Sequence, residues 1–205
     1  MLLVCIIGGY LIGSIPTAYL IVRIKSGIDL RTKGSSKIGA LNVFTVTRSK
    51  WISVVVGLLD ALKGLFVVLL AGQLTGGLFL IQSIALFSAI IGHNYPVWLR
   101  FHGGRGLATA AGGMFAIGIA YTLIWCLTWF ISFRYFKNVL KANITAILLT
   151  PIILMIIPSI WIGAVIFCAA TVIDYRIFSF VMSAILLLSH LQPLNDAIKS
   201  KRFIS

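Results

Sequence analysis

The chain has 205 residues, of which 60% are hydrophobic and only 10% charged, and it carries a net charge of +13 and a mean hydropathy of +1.08. That leaves too little polar surface for a soluble domain of this size. The positive charge does not point to nucleic acid either, because the basic residues are segregated between apolar runs instead of forming one basic face.

Uncharged runs cover 1–22, 64–99, 106–133 and 142–173, and about 20 apolar residues suffice to span the hydrocarbon as helix. They lack the two-residue alternation of a membrane barrel strand, and helices satisfy their own backbone in lipid. The predicted fold is all-α, a polytopic integral membrane protein with short or re-entrant segments, organised as a single domain over 1–205. The first span, about 1–22, is read as uncleaved and ends in GSIPTAYL, where Pro16 with Gly13, Ser14 and Ala18 permits a kink or a close helix contact. Residues 23–50 form a basic loop holding Arg23, Lys25, Arg31, Lys33, Lys37, Arg48 and Lys50, seven of the seventeen Lys and Arg. It is assigned to the cytoplasm by the positive-inside rule. A second span covers about 52–72, a GQLTGG turn follows, and a third covers about 78–97.

Next comes GHNYPVWLRFHGGRGLAT (92–109), rich in glycine and basic residues and on the same face as the first basic loop. The run 107–133 is broken by glycines and read as two short passes, about 107–118 and 119–133, before a basic turn with Arg134, Lys137 and Lys141. Residues 142–173 contain Pro151 and Pro158 and are read as one pass plus a second. The last apolar segment, about 177–190, ends at His190 before the basic tail. Counting every segment would put that tail outside, against the charge rule, so one element between 142 and 190 should be re-entrant or fused with its neighbour. Cys5, Cys126 and Cys168 are scattered in apolar segments and are expected to be packed, with no disulfide framework.

Two glycine-rich, basic, hydroxyl-bearing stretches share one membrane face: TKGSSKIGALNV (32–43) and FHGGRGLAT (101–109). Glycines let backbone N–H groups converge on an anion, and a following helix N-terminus adds partial positive charge. Gly103, Gly104 and Gly106 precede such a helix, and Arg105 supplies a charge-assisted bond to phosphate. Asp60 and Lys63 stand three apart on one face of the second span, where ionisable groups are paired or functional. Of the three histidines, His102 reads as a solvated loop residue. His190 is placed to bond a phosphate or the last helix carbonyls. No histidine pair has metal-ligand spacing, and no His–Asp pair is visible.

GSIPTAYL, DLRTKGSSKIGALNV, DALKG (60–64) and GHNYPVWLRFHGGRGLAT together resemble the bacterial acyl-phosphate:glycerol-3-phosphate acyltransferases, in order and spacing over roughly residues 8–115. The second half matches mainly in hydropathy and in His190, with 159–173 resembling an insertion. The resemblance implies an inner-membrane enzyme of phospholipid synthesis with about seven helices and its site at the cytoplasmic face. It implies acyl transfer from acyl-phosphate to the 1-hydroxyl of glycerol 3-phosphate, giving lysophosphatidate and phosphate. No cofactor or metal is expected, and neither acyl carrier protein nor CoA as direct donor.

Carried over by position, Ser35 and His190 become the catalytic candidates, Ser35 as a phosphate ligand more than a nucleophile. Ser35, Asn42, Arg48, Gly103, Gly104, Arg105 and Gly106 become the substrate-binding set. Arg105 stands where the family has a lysine. Ser36, Lys37, Leu41 and Thr45 replace the family's glycine, asparagine, threonine and arginine in the first motif, Arg48 stands three positions later than that arginine, and Pro193 replaces an asparagine after the histidine. Those departures leave two rival readings, a divergent paralogue that is non-catalytic or uses another acceptor, and a small anion transporter.

Overall fold

The computed structural model describes residues 1–199. They fold into helices α1 (Leu2–Ser14), α2 (Thr17–Ser26), α3 (Ala40–Thr47), α4 (Lys50–Thr75), α5 (Phe79–Asn94), α6 (Leu107–Ile117), α7 (Ala120–Phe136), α8 (Val139–Ile156), α9 (Ser159–Gly163), α10 (Val172–Leu188) and α11 (Leu191–Lys199). Among the described residues the only β pairing is one isolated bridge, Gly118 with Ile166. Two compact units result, Met1–Ile117 and the residues from Gly118 onward. Among the described residues three stretches are long and apolar enough to cross a membrane: Leu2–Ser26, Lys50–Thr75 and Val139–Ile156. The helices α5, α7 and α10, at 16, 17 and 17 residues, fall just short of that length, and α6 has 11.

In the first unit, the expected kink is a full break. Pro16 has no N–H to donate and biases Ile15 to an extended backbone, ψ 115°, so α1 stops at Ser14 and α2 restarts at Thr17. α1 lies directly on α5 because both present small residues. A Cβ added at Gly9 would strike the Ala85 carbonyl, and one at Gly13 the Ala89 carbonyl. α4 and α6 cross in the same way, where Gly64 meets the Thr109 carbonyl and Gly112 the Ala61 carbonyl. Close approach through small residues is how helices associate where lipid removes the hydrophobic drive between them.

α4 shows which way the unit faces. Val54, Leu58, Leu62, Phe66 and Leu69 are exposed, while Asp60, Lys63 and Gly64 are buried. Apolar side chains outward and charges inward is the pattern of a span in lipid.

The segment read as a basic loop is in fact folded. Leu30, Ile38 and Val43 are buried with Ala18, Val22, Val56 and Leu99 in one cluster, and residues 40–47 form α3. The charges around it hid this small core. Leu30 and Ile38 are single apolar residues among polar ones, and only their packing on α2 and α4 reveals their role.

In the second unit, the end of α8 at Ile156 corrects the reading of 142–173 as two passes. Pro158 stops the chain, α9 has five residues, and the chain then runs without long helix to α10. Arg176 of α10 closes the exposed end of α8, donating to the carbonyls of Leu154 (3.1 Å) and Ile157 (2.7 Å). Thr171 and Asp174 form a reciprocal capping box that starts α10. Tyr175 donates to the Gly118 carbonyl and accepts the Tyr121 N–H, and the Tyr121 hydroxyl pairs with that of Ser183. The cysteine expectation holds only for Cys5; Cys126 is exposed and Cys168 half-buried.

Candidate functional site

The two glycine-rich stretches are joined in space. The Ile38 N–H donates to the Gly103 carbonyl (3.1 Å), and a Cβ at Gly104 would meet the Ile38 carbonyl at 2.6 Å. The segment 103–106 lies against the C-terminal end of α5, and this is what its glycines serve. Side chains at 103, 104 and 106 would collide respectively with the carbonyls of His93 and Asn94, the His93 ring, and Ile90 with Asn94. Gly106 also has φ +74°, a conformation that disfavours other residues.

The Gly104 N–H is donated to the His93 carbonyl at 3.0 Å, which corrects the expectation that Gly104 offers its amide to an anion. The free donors lie at the start of α6, whose first N–H groups have no intrahelical acceptor. Arg105 stands immediately before that start. Burial pushes its guanidinium below the ordinary arginine range, and an arginine remains charged there.

Before this segment, Arg100 and Phe101 both adopt positive φ, 52° and 62°. Such a pair costs about 1–2 kcal/mol per residue. The turn that bears this strain exposes Tyr95, Trp98 and Phe101, aromatic side chains of the kind enriched at the membrane–water interface. His102 is exposed, with its ring against the Arg100 carbonyl.

In the partner loop, Ser35 is exposed and its N–H donates to Asn42 Oδ1 (2.9 Å). Asn42 itself is buried, and its Nδ2 donates to the carbonyls of Lys37 (2.9 Å), Lys33 (3.2 Å) and Leu30 (3.4 Å). The carboxamide is therefore spent on the loop's own backbone, and Asn42 shapes the place where Ser35 is presented instead of reaching a ligand. Gly34 and Ser36 both take left-handed backbone, φ +60° and 57°; Ser36 does so at about 1 kcal/mol more than a glycine would. Arg48 caps the far end of α3 with φ 55°, about 12 Å along the axis from the loop by helix rise, so its backbone is not part of the turn that holds Ser35.

Beneath these loops is a polar cluster that the sequence shows only in part. Lys63 donates to Asp60 Oδ1 (2.7 Å), to Thr17 Oγ1 (3.0 Å) and to the Ile15 carbonyl freed by the helix break. Thr17 donates to the same Asp60 oxygen (2.7 Å), and His93 Nδ1 lies 3.6 Å from it. A His–Asp pair is thus present where none was visible in the sequence, because α4 and α5 bring together residues 33 positions apart. A small pocket lies here, lined by Ser14, Thr17, Ile38, Asp60, His93 and Gly103 among others. The signals for Thr17 and His93 were the GSIPT and GHNYP strings, whose polar residues border an apolar span.

His190 belongs to the second unit. It is fully buried at the end of α10. Its Nδ1 donates to the Leu186 carbonyl (2.8 Å), the helix-carbonyl option of the two foreseen, and its Nε2 faces Asn143 Nδ2 at 3.4 Å. Asn143 in turn accepts the Trp129 indole N–H at 2.7 Å. Among the described residues no group of His, Cys, Asp or Glu is arranged to hold a metal.

The family model described as glycerol-3-phosphate acyltransferase matches residues 3–200. Glycerol-3-phosphate acyltransferase 2 of Moorella thermoacetica is 37% identical over 186 residues, 90% of this chain and 88% of that protein. The glycerol-3-phosphate acyltransferase of Anaplasma marginale is 34% identical over 182 residues, 88% of this chain and 83% of that one. Among solved structures, the glycerol 3-phosphate form of PlsY (YgiH), an integral membrane glycerol 3-phosphate acyltransferase, superposes with a TM-score of 0.80 at 30% identity, covering 97% of this chain and 92% of that one. Its lysophosphatidic acid form gives 0.78 at 28% identity with the same coverage. This chain belongs to the glycerol-3-phosphate acyltransferase family.

Proposed function

We propose that this chain transfers an acyl group from acyl-phosphate to the 1-hydroxyl of glycerol 3-phosphate, giving lysophosphatidate and inorganic phosphate in phospholipid synthesis. The observation that carries the reading is the junction of the two glycine-rich segments, with Arg105 at the start of α6 and Ser35 on the adjoining loop. Helix N–H groups, a guanidinium and a hydroxyl are what a phosphate needs. The solved relative in its glycerol 3-phosphate form is consistent with that ligand class.

Acyl-phosphate is already activated, so a covalent enzyme intermediate is unnecessary. The glycerol oxygen attacks the acyl carbonyl carbon, the bond from that carbon to the phosphate oxygen breaks, and the hydroxyl proton leaves on phosphate. The protein's share is proximity and anion binding. Ser35 and Arg105 act as phosphate ligands. Asn42 acts through the loop it shapes, Gly103, Gly104 and Gly106 through close packing, and His190 through the buried Asn143–Trp129 network of the second unit.

Both units serve one acyltransferase domain in this reading, embedded in the bacterial inner membrane. The reading takes seven crossings, α1 with α2, then α4, α5, α6, α7, α8 and α10. In this reading the loop with Arg31 and Lys33, the loop with Arg105 and the turn with Lys137 face the cytoplasm, in keeping with the positive-inside rule. The parity conflict disappears because α9 is too short to cross.

The test is product formation by purified protein given palmitoyl-phosphate and labelled glycerol 3-phosphate, with palmitoyl-CoA and palmitoyl-acyl carrier protein as alternative donors. Lysophosphatidate from palmitoyl-phosphate alone is the expected result. Lysophosphatidate from either thioester would overturn the donor assignment, and none from any donor would overturn the function.

A further inference from the structure

His93 has no part in the chemistry above, yet it stands between the buried charges and the phosphate loop. On one side its Nδ1 faces Asp60 Oδ1 at 3.6 Å, with the two side chains only 9% and 3% exposed. On the other side Gly104 packs against Nε2 so closely that a Cβ would overlap it. The His93 carbonyl accepts the Gly104 N–H as well. Backbone and ring of one residue thus hold the same glycine.

Asp60 is itself fixed. Its Oδ1 accepts from Lys63 and from Thr17, and Lys63 is anchored on the Ile15 carbonyl at the helix break. The ring of His93 therefore stands beside a carboxylate held in place by two donors.

We propose that His93 is a positioning residue for substrate binding: it sets the segment Gly103–Gly106, and with it Arg105, against the Asp60–Lys63–Thr17 cluster. This rests on the reading that Arg105 and the start of α6 hold the phosphate of glycerol 3-phosphate. A side chain that merely filled the core would be replaceable by an apolar one of similar size without changing substrate affinity. A positioning residue is not, because an apolar replacement has no attraction for Asp60 and leaves the loop free to shift. Loss of this contact, at ion-pair distance from a buried carboxylate, should weaken glycerol 3-phosphate binding about tenfold.

The experiment uses the full chain in lipid nanodiscs, with palmitoyl-phosphate as donor. His93→Leu should raise the KM for glycerol 3-phosphate about tenfold, leaving kcat and the KM for palmitoyl-phosphate near wild type. His93→Asn, whose amide nitrogen stands two bonds from Cβ as Nδ1 does and so faces Asp60 in its place, should recover most of that loss. If His93→Leu does not fold, His93→Ala takes its place, having no polar atom to offer Asp60, and should show the same rise relative to His93→Asn. The positioning role is overturned if the apolar variant keeps the wild-type KM, if both substrates' KM values rise together, or if His93→Asn does no better. Equilibrium binding of labelled glycerol 3-phosphate to the same samples separates the two levels. A wild-type chain that neither binds nor acylates it removes the parent reading and this one with it. Wild-type and variant chains that bind it equally remove only the role of His93.

Discussion

Replacing Lys63 by Met tests how the first unit holds its buried charge. The ammonium is 7% exposed and contacts Asp60, Thr17 and the Ile15 carbonyl. Met has similar length and an apolar end, so packing along the stem survives while all three polar contacts are lost. What remains is a carboxylate 3% exposed with one hydroxyl donor and a histidine at ion-pair distance. Breaking a buried pair from one side costs about 3–5 kcal/mol, because the other charge is left uncompensated. For a chain of this size each kcal/mol moves Tm by about 2–4 °C, so a fall of roughly 6–20 °C is expected. Removing both charges at once, with Asp60→Asn and Lys63→Met together, should recover at least half of that fall. Thermal unfolding of the purified protein, followed by tryptophan fluorescence, reads both variants. The reasoning fails if Lys63→Met unfolds within about 1 kcal/mol of wild type, or if the double variant is less stable than the single one.

Asn42→Ala removes four bonds to the loop backbone, each worth about 1 kcal/mol net. It should lower stability and raise the KM for glycerol 3-phosphate together, whereas Ser35→Ala should move only the KM; steady-state kinetics beside a melting curve distinguishes them. Asp29 is held at about 2 by the Arg31 side chain first and the Arg31 N–H second. A carboxyl depressed in the folded state contributes stability above its unfolded pKa of about 3.9 and loses it as pH falls through about 2. The stability difference between wild type and Asp29→Asn should therefore be flat from neutral pH down to about 4 and vanish below, as measured by denaturation at each pH.

The helices legible in the sequence were those whose composition settles them. Hydropathy places α4 and α5 within about three residues at each end, and the break at Gly118 falls between α6 and α7, with Gly112 and Gly113 inside α6. α3 was not legible, because its helix depends on Val43 and Asn42 finding a core built by other segments. The second pass after Pro158 was over-read for the opposite reason. Apolar composition persists through 159–173, but Pro158, Gly163 and the capping box at Thr171 leave no room for a long helix.

At the site, the two glycine stretches were legible as partners, while the jobs of their glycines were not. Periodicity cannot distinguish a glycine that offers its N–H from one that must let a histidine ring pass. The Thr17–Asp60 bond joins residues 43 apart, and only the broken first span, lying beside α4, brings them together. Asn42 shows the same limit: its place in a motif suggested a ligand, and its hydrogen bonds show a brace.

The central claim is that Arg105 at the start of α6 holds the phosphate of glycerol 3-phosphate. The most direct measurement is the KM for glycerol 3-phosphate of Arg105→Ala, at saturating palmitoyl-phosphate, beside its kcat. A charge-assisted bond of about 1.5–3 kcal/mol predicts a rise of roughly 10- to 150-fold in KM, with Arg105→Lys recovering part of it and kcat changing far less. An unchanged KM in a folded Arg105→Ala protein would contradict the claim.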